Sequence, residues 1–496
     1  MTAFAPPVSL QPLLARIETM ARDAGLESYI VGGSVRDALL GRAMRDLDIA
    51  VDRDAMPFAR RLADALGGHF VALDDANAIA RVVLHDVAVS YIDVAQLQGS
   101  LDDDLRRRDF TVDALAVCIG ESAIIDVCGG LDDLAARRVR MTAERAFDDD
   151  PLRLLRGARI AAELGFEIEP ATAAAIRARA PRVLESAAER RRDELARIFA
   201  LDAAAPAVRL LDDLRLLDAL LPEVTAGRGV TQPNDHSYDV LEHGIRAVEA
   251  MDIMLTTERP TGDRAWMWDR LWQIFSWREA ALRAYIAAEL SEGRSRGALL
   301  KLTALLHDVA KPRTRTVEAD GRIRFLGHAD EGGAMATQIL RRYRFSSRET
   351  GFVARLVEEH LRPVQLASAG EVPTRRALYR FHRDLGDAVE GGLLLSLADA
   401  AAARGARMTN EGWSSQAAYM NSLLVRLQGE AGIVDAPRLL SGQDIMIEFG
   451  LSEGPRIGQL LEALREAQAT ADVRDRQGAL ALVRAFIDAQ SGEKDV

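Results

Sequence analysis

The 496-residue chain has only two cysteines, Cys118 and Cys128. Two thiols cannot form a disulfide framework or a cysteine-built zinc site, and both are read as buried thiols. No stretch reaches the roughly 18 apolar residues that a membrane helix needs. The N-terminus, MTAFAPPVSLQPLLARIETM, lacks the basic start and apolar core of a secretion signal. These absences predict a cytoplasmic protein with no membrane partner. Lysine is scarce too: Lys301, Lys311 and Lys494 are 3 of 63 cations, and the other 60 are arginine. Arginine suits phosphate contacts, although a bias in genomic base composition is the simpler source of the excess. Nor is there an excess of positive charge. With 75 acids against 63 cations the net charge is −12, so a nucleic-acid partner has to be held by a local basic surface.

What remains is 48% hydrophobic and 28% charged, the balance of a globular protein of about three domains. Residues 11–24 have the spacing of an amphipathic helix. YIVGG (29–33) reads as a strand ending in a glycine turn, SVRDALLG (34–41) as a short helix, and DLDIAV (46–51) as a strand. Further strand patterns lie within 81–94 and 111–127. From about residue 148, Ala, Leu, Arg and Glu dominate at helical spacing. The expected class is α+β: a mixed α/β head followed by a long all-α body, with divisions at 1–145, 146–205, 206–430 and 431–496. Four of the five tryptophans (Trp266, Trp268, Trp272, Trp277) fall within 255–300. Charged residues interrupt any apolar face there, so the segment is read as a packed helix or an inserted helical hairpin.

Asp46 and Asp48 lie two apart on an expected strand and so share a face, about 6.6 Å apart along it. Two carboxylates on one face can hold a pair of Mg²⁺ ions. Upstream, Gly32 and Gly33 end a strand and open a helix, where bare backbone can approach a triphosphate. Arg36 lies on the first turn of that helix. Asp93, in VAVSYIDVA, is an unusual charge for a strand pattern. Each piece alone is a common turn; the order strand, Gly-Gly, helix, Arg, Asp-x-Asp, strand, Asp is specific.

GGSVRDALLGRAMRDLDIA (32–50) resembles the signature of class II nucleotidyltransferases, the bacterial-type tRNA CCA-adding enzymes and poly(A) polymerases. The resemblance continues in order. RRDFTVDALA (107–116) is similar to the ribose-reading motif and DVCGGLDDLAARRVR (126–140) to a flexible segment. DDPLRLLRGARIAAELGF (149–166) is similar to the base-reading helix, and ERRRDELARIF (189–199) to the motif that closes the neck. It implies a polymerase-β-like head over 1–145 and a base-reading, RNA-binding neck over 146–205. It also implies roles. Asp46, Asp48 and Asp93 would be catalytic, with Mg²⁺ on Asp46 and Asp48. Gly32, Gly33 and Arg36 would sit against the triphosphate, and Arg107, Arg108, Asp109 and Asp113 near the sugar and phosphates. Asp150, Arg153 and Arg156 would lie at the nucleotide, the first two reading the base edge of CTP or ATP. An Asp and an Arg three apart on a helix would share a face and offer acceptor and donor together; a plain helix cap at Asp150, before Pro151, is the alternative. Three departures stand out: Asp113 where the family usually has Asn, Asp149 for Glu, and a short AQLQGS after Asp93. The neck (153–197) holds ten Arg and seven acids, net +3, a slight sign of RNA contact.

His243, His307, His328 and His360 fall in one region, with Asp308 after His307 and Asp399 in SLADA. Imidazole and carboxylate together suit divalent transition metals. The order resembles the HD phosphohydrolase superfamily, in the extra-histidine form that can hold two metals. That implies an HD site of His243, His307, Asp308, His328, His360 and Asp399 within 206–430, holding Mn, Ni, Co, Fe or Zn. His236 is a candidate neighbour; His69, His85 and His382 are read as structural. The stretch 441–468 resembles long bacterial family members and implies an RNA-facing tail over 431–496. The expected function is template-independent addition of CMP and AMP to tRNA 3′ ends by two-metal catalysis, with ATP and CTP as substrates. The alternatives are a poly(A) polymerase, a partial A- or C-adding enzyme, or an HD phosphohydrolase whose head only binds nucleotide or RNA.

Overall fold

The computed structural model describes residues 4–44, 46–85, 89–233, 236–368, 373–429 and 437–492. Two compact units emerge. One holds the chain up to residue 194 together with 209–220; the other holds 195–208 and the chain from 221 onward.

The first unit is built on a seven-stranded sheet: β1 (Ser28–Val31), β2 (Asp46–Val51), β3 (His69–Asp74), β4 (Ile79–Val83), β5 (Tyr91–Gln96), β6 (Leu115–Cys118) and β7 (Ile124–Asp126). Their spatial order is β3-β4-β5-β2-β1-β6-β7. Only β2 and β5 run parallel; the other pairs are antiparallel. The alternation in DLDIAV carries through: Leu47 and Ile49 are fully buried on one face, which puts Asp46 and Asp48 on the other. Helix α1 (Gln11–Asp23) takes the amphipathic segment, α2 (Gly33–Leu39) joins β1 to β2, and α3 (Ala55–Leu66) buries Phe58, Ala59 and Leu62. Strand β3 has no counterpart in the sequence reading. It lies at the sheet edge with Val71 and Leu73 exposed, so it lacks the in–out alternation that marks a half-buried strand. Cys118 and Cys128 are partly exposed, not buried as expected. One ends β6 and the other lies in the loop after β7, where side chains reach solvent. Beyond the sheet come the neck helices α4 (Arg153–Leu164), α5 (Pro170–Arg179) and α6 (Ala188–Ala200).

The second unit is helical, as expected, with two short antiparallel ribbons the sequence reading did not include: Glu289–Ser291 with Arg294–Ser295, and Arg315–Val317 with Ile323–Phe325. The second turns near Asp320-Gly321, a hairpin signal in the sequence. Helices Val240–Leu255, Arg296–Leu306, Ser347–Glu358 and Val389–Arg404 form its packed centre. The tryptophan segment is a pair of helices, Ala265–Ile274 and Glu279–Ala287. Trp272 is buried with the Arg283 guanidinium 4.0 Å from its ring centre, and Trp266 meets Trp413 edge to face. Helices Gly442–Phe449, Pro455–Ala469 and Arg476–Gly492 share a small core around Ile445, Leu460 and Leu464. Most of the stretch around the expected division at 430–431 lies outside the described residues. Among the described residues no helix is long and apolar enough to cross a membrane.

Candidate functional site

The head carboxylates meet on one sheet face. Asp48 and Asp93 are direct partners across the parallel β2–β5 pair, and Asp46 precedes Asp48 by two residues on the same face. Burial, together with the charges of Asp93 and Asp46, pushes the Asp48 carboxyl up to about 6, while Arg108 opposes the shift. Such crowding of like charge fits a cation. Gly32 has φ +69°, and a Cβ there would stand 2.8 Å from Nη1 of Arg108 and 3.7 Å from the Asp48 carboxylate. Backbone without a side chain is therefore required beside the acids. Gly33 lies against the same carboxylate. Sequence reasoning missed Ser34, whose hydroxyl accepts the Asp48 N–H at 2.8 Å and donates to the Asp46 carbonyl at 3.3 Å. It ties α2 to the carboxylate strand.

Other expected site residues are engaged with protein groups. Arg36 is buried and forks onto Asp37, while its Nη1 meets the Asp113 carboxylate at 2.5 Å. Asp113, standing where Asn is usual, is thus the counter-ion of Arg36. Arg107 and Arg108 both donate to the buried Asp104. Asp109 is buried against Nε of Arg156 at 2.7 Å; burial alone would raise its carboxyl, but Arg156 holds it below the usual range. Asp126 accepts the N–H groups of Cys128, Gly129, Gly130 and Leu131, closing a tight loop in the segment expected to flex.

Asp150 and Arg153 do not share a helix face as the sequence reading supposed. Helix α4 starts only at Arg153, and Asp150 is extended, with φ −147° and ψ 101°. Pro151 disfavours the helical conformation at the residue before it. The Asp150 carboxylate accepts the Leu152 N–H at 3.1 Å and a two-pronged contact from Arg190 at 3.2 and 2.7 Å. Arg153 donates to the carbonyls of Arg107 and Ala146. Arg190 was not singled out from sequence; its signal is the run Arg190-Arg191-Arg192 beside acids. Much of the arginine excess in the neck is spent internally. Arg159 pairs with Glu163 and Glu194, Arg179 and Arg182 with Asp148, and Arg192 with Asp193.

In the second unit all six expected metal ligands converge. His307 caps the C-terminal end of helix Arg296–Leu306, and Asp308 follows it. His243 Nε2 lies 3.3 Å from Asp308 Oδ2 and 3.0 Å from Asp399 Oδ1. His307 Nε2 lies 3.2 Å from Asp308 Oδ2. The other oxygen of Asp308 faces His328 and His360, at 3.6 and 3.7 Å. Among the described residues two groups could hold a metal, His243–His307–Asp308 and Asp308–His328–His360, and Asp308 belongs to both. His307, His328 and His360 each turn Nδ1 to a main-chain carbonyl, of Ala304, Phe325 and Val357. This fixes the rings with Nε2 inward, as metal-binding histidines require. Asp308 Oδ1 and His328 Nε2 are buried with no hydrogen-bond partner, so the donor set fits divalent cations. Asp308 and Asp399 outweigh burial and hold His307 up to about 10, while burial beside His307 pushes His360 down to about 4. A cavity of about 650 Å³ opens on this set, lined also by Lys311, Arg324 and Arg362, cations suited to an anionic phosphate. His236 lines it too, its ring edge-on to His243 at 5.2 Å. His69 packs edge-on against His85.

Family models match in the same order: the poly A polymerase head domain over 28–140, the probable RNA and SrmB-binding site of polymerase A over 165–227, and the HD domain over 276–404. The A-adding tRNA nucleotidyltransferase of Deinococcus radiodurans is 36% identical over 93% of this chain and 96% of its own length. The chain belongs to the tRNA nucleotidyltransferase and poly(A) polymerase family. The CC-adding tRNA nucleotidyltransferases of Thermus thermophilus and Geobacter sulfurreducens are 34% and 33% identical, covering 93% and 94% of this chain and 93% of each of theirs. Solved structures resemble the chain over most of its length. A CCA-adding enzyme solved with ATP aligns over 97% of this chain and 95% of its own, with a TM-score of 0.57 at 20% identity. A Thermotoga maritima CCA-adding enzyme with tRNA aligns over 97% and 96%, with a TM-score of 0.54 at 20% identity.

Proposed function

We propose that this chain transfers nucleotides from CTP or ATP to the 3′ end of tRNA, building all or part of the terminal CCA in the cytoplasm. The observation that carries the proposal is the row of Asp46, Asp48 and Asp93 on one sheet face beside the bare backbone of Gly32. Asp46 and Asp48, with Asp93 as third carboxylate, would hold Mg²⁺, which prefers oxygen ligands. When bound, Mg²⁺ acidifies the attacking 3′-hydroxyl and neutralises the leaving pyrophosphate. The protein's own groups do the rest. Gly32 and Gly33 leave room for the phosphates, and Arg108, beside Gly32, supplies donors to them. Arg36 works through Asp113, fixing the loop that carries Arg107, Arg108 and Asp109. Arg156 holds Asp109 in place. Asp150 and Arg153 would read the base edge, Asp150 as acceptor and Arg153 as donor, with Arg190 steadying the Asp150 carboxylate. The neck and the C-terminal helices would carry the tRNA.

The histidine site is a metal-dependent phosphohydrolase centre for a transition metal such as Mn, Ni, Co, Fe or Zn, since imidazoles dominate its donors. Lys311, Arg324 and Arg362 would receive the phosphate.

A specific observation favours a second reading, a partial activity. The three relatives above that span more than nine-tenths of this chain are named A-adding or CC-adding. One experiment tests both. tRNAs ending before CCA, after C and after CC are each incubated with CTP, ATP or both. A full enzyme extends all three to CCA, and a partial one extends only the primers its nucleotide fits. Unlimited A addition to any RNA marks a poly(A) polymerase. No extension of any primer refutes the proposal.

A further inference from the structure

The carboxylate row has a fourth member that lies outside the motifs quoted above. On β4, next to β5 in the sheet, Arg81 is the direct partner of Asp93, as Asp93 is of Asp48 on the far side. A cation and two carboxylates thus stand abreast on three neighbouring strands. Arg81 donates from Nε and Nη2 to the two oxygens of Asp93, both at 2.8 Å. Its guanidinium also lies 4.6 Å from the ring centre of Tyr91, two residues before Asp93. The fork and the aromatic face together fix a side chain that would otherwise be free to turn. Both partners remain partly open to solvent, with Arg81 33% and Asp93 24% exposed, so the pair borders the site and is not sealed in the core. Each Asp93 oxygen keeps a further lone pair.

We infer that Arg81 is a positioning residue for nucleotide addition: it sets the orientation of Asp93 and offsets part of the negative charge of the Asp46–Asp48–Asp93 row. This rests on the reading of those acids as metal holders. The two effects oppose each other on metal binding and combine on rate. Without Arg81 the row carries one more unit of net negative charge, so a divalent cation binds more tightly. The Asp93 carboxylate, however, is free to rotate, and misplaced catalytic groups cost rate. A residue that only pinned β4 to β5 would change stability without tightening metal binding.

The test compares full-length wild type, Arg81→Ala, Arg81→Lys and Asp48→Asn. Mn²⁺ binding is measured by electron paramagnetic resonance, and the head class is the one lost in Asp48→Asn. Arg81→Ala should bind that class about tenfold more tightly, the size expected for one unit charge near a dication in a watery surround. Its rate of single nucleotide addition at saturating Mg²⁺ should fall about tenfold, with KM for the nucleotide unchanged. Arg81→Lys keeps the charge and loses the fork, so its Mn²⁺ affinity should match wild type while its rate falls between the other two. Wild-type Mn²⁺ affinity in Arg81→Ala, or an undiminished rate, overturns the inference. If Asp48→Asn keeps every Mn²⁺ class, the carboxylate reading itself fails. If it loses one while Arg81→Ala binds like wild type, only the role of Arg81 fails. Should Arg81→Ala not fold, Arg81→Lys decides: an unaltered rate overturns the inference.

Discussion

Asp308→Ala should empty the whole histidine site, whereas a single histidine substitution should empty half. The reason is the geometry of one side chain. Asp308 Oδ2 faces His243 and His307, and Oδ1 faces His328 and His360, so the two ligand groups share only this carboxylate. Wild type should hold two transition-metal ions per chain, Asp308→Ala none, and His243→Ala or His328→Ala one. Folding has to be checked alongside. Asp308 is 3% exposed and pairs with Lys311 at 2.6 Å. Removing one partner of a buried pair costs about 3–5 kcal/mol. That is partly offset here because Lys311 also donates to Gln232 at 2.6 Å. Asp308→Asn keeps the shape, loses a charged ligand and serves as the gentler variant. The assay is elemental analysis of metal-loaded, gel-filtered protein, with thermal melts on the same samples. A folded Asp308→Ala protein that retains a full ion per chain would refute the shared-ligand geometry. So would loss of both ions in His328→Ala.

Three further outcomes follow from particular contacts. Arg153→Ala should weaken discrimination between CTP and UTP or between ATP and GTP, measured as kcat/KM ratios; an equal loss for all four nucleotides would mean a phosphate or packing role. Lys301→Met should destabilise the second unit by about 3 kcal/mol, because Lys301 and Asp252 are a buried pair at 2.9 Å and Asp252 would be left without its cation. The unit's melting point should drop by about 5 °C, and Lys301→Met with Asp252→Asn should recover most of it. Glu349 is fully buried, and its carboxyl is held below the usual range: burial opposes the shift, but Ser346 and Arg294 outweigh it. A lowered folded value means that its stabilisation is complete above about pH 4.5 and fades as pH falls through the folded value. Glu349→Gln should therefore lower stability at pH 7 and flatten the acid limb of the denaturation curve; a parallel shift at every pH would contradict this.

Much of the site was legible in the sequence because its elements are local. DLDIAV alternates cleanly, so the shared face of Asp46 and Asp48 follows from period two alone, and the strand runs over the expected residues. The six histidine-site ligands were legible as an ordered set, although only the fold brings residues as far apart as 243 and 399 within 3.0 Å. What depends on partners across the fold was not legible. Arg81 looks like any strand charge until β4 pairs with β5. Asp113 reads as a departure until it is seen against Arg36. Asp150 and Arg153 do not share a helix face because Asp150, before Pro151, is extended and the helix begins only at Arg153. Two of the three lysines, Lys301 and Lys311, form buried ion pairs with aspartates. These pairs give two of the scarce lysines a structural role that composition alone did not offer.

We propose that Asp46, Asp48 and Asp93 carry the tRNA 3′-end nucleotidyltransferase activity of this chain. Its most direct test is single-turnover addition of one labelled nucleotide to tRNA lacking CCA, with Mg²⁺, comparing wild type with Asp48→Asn at matched fold and tRNA affinity. Wild type should add the nucleotide readily and the variant should lose about a thousandfold in rate, with the metal content of the histidine site unchanged. Addition by Asp48→Asn at near the wild-type rate would rule out a metal-holding role for these acids.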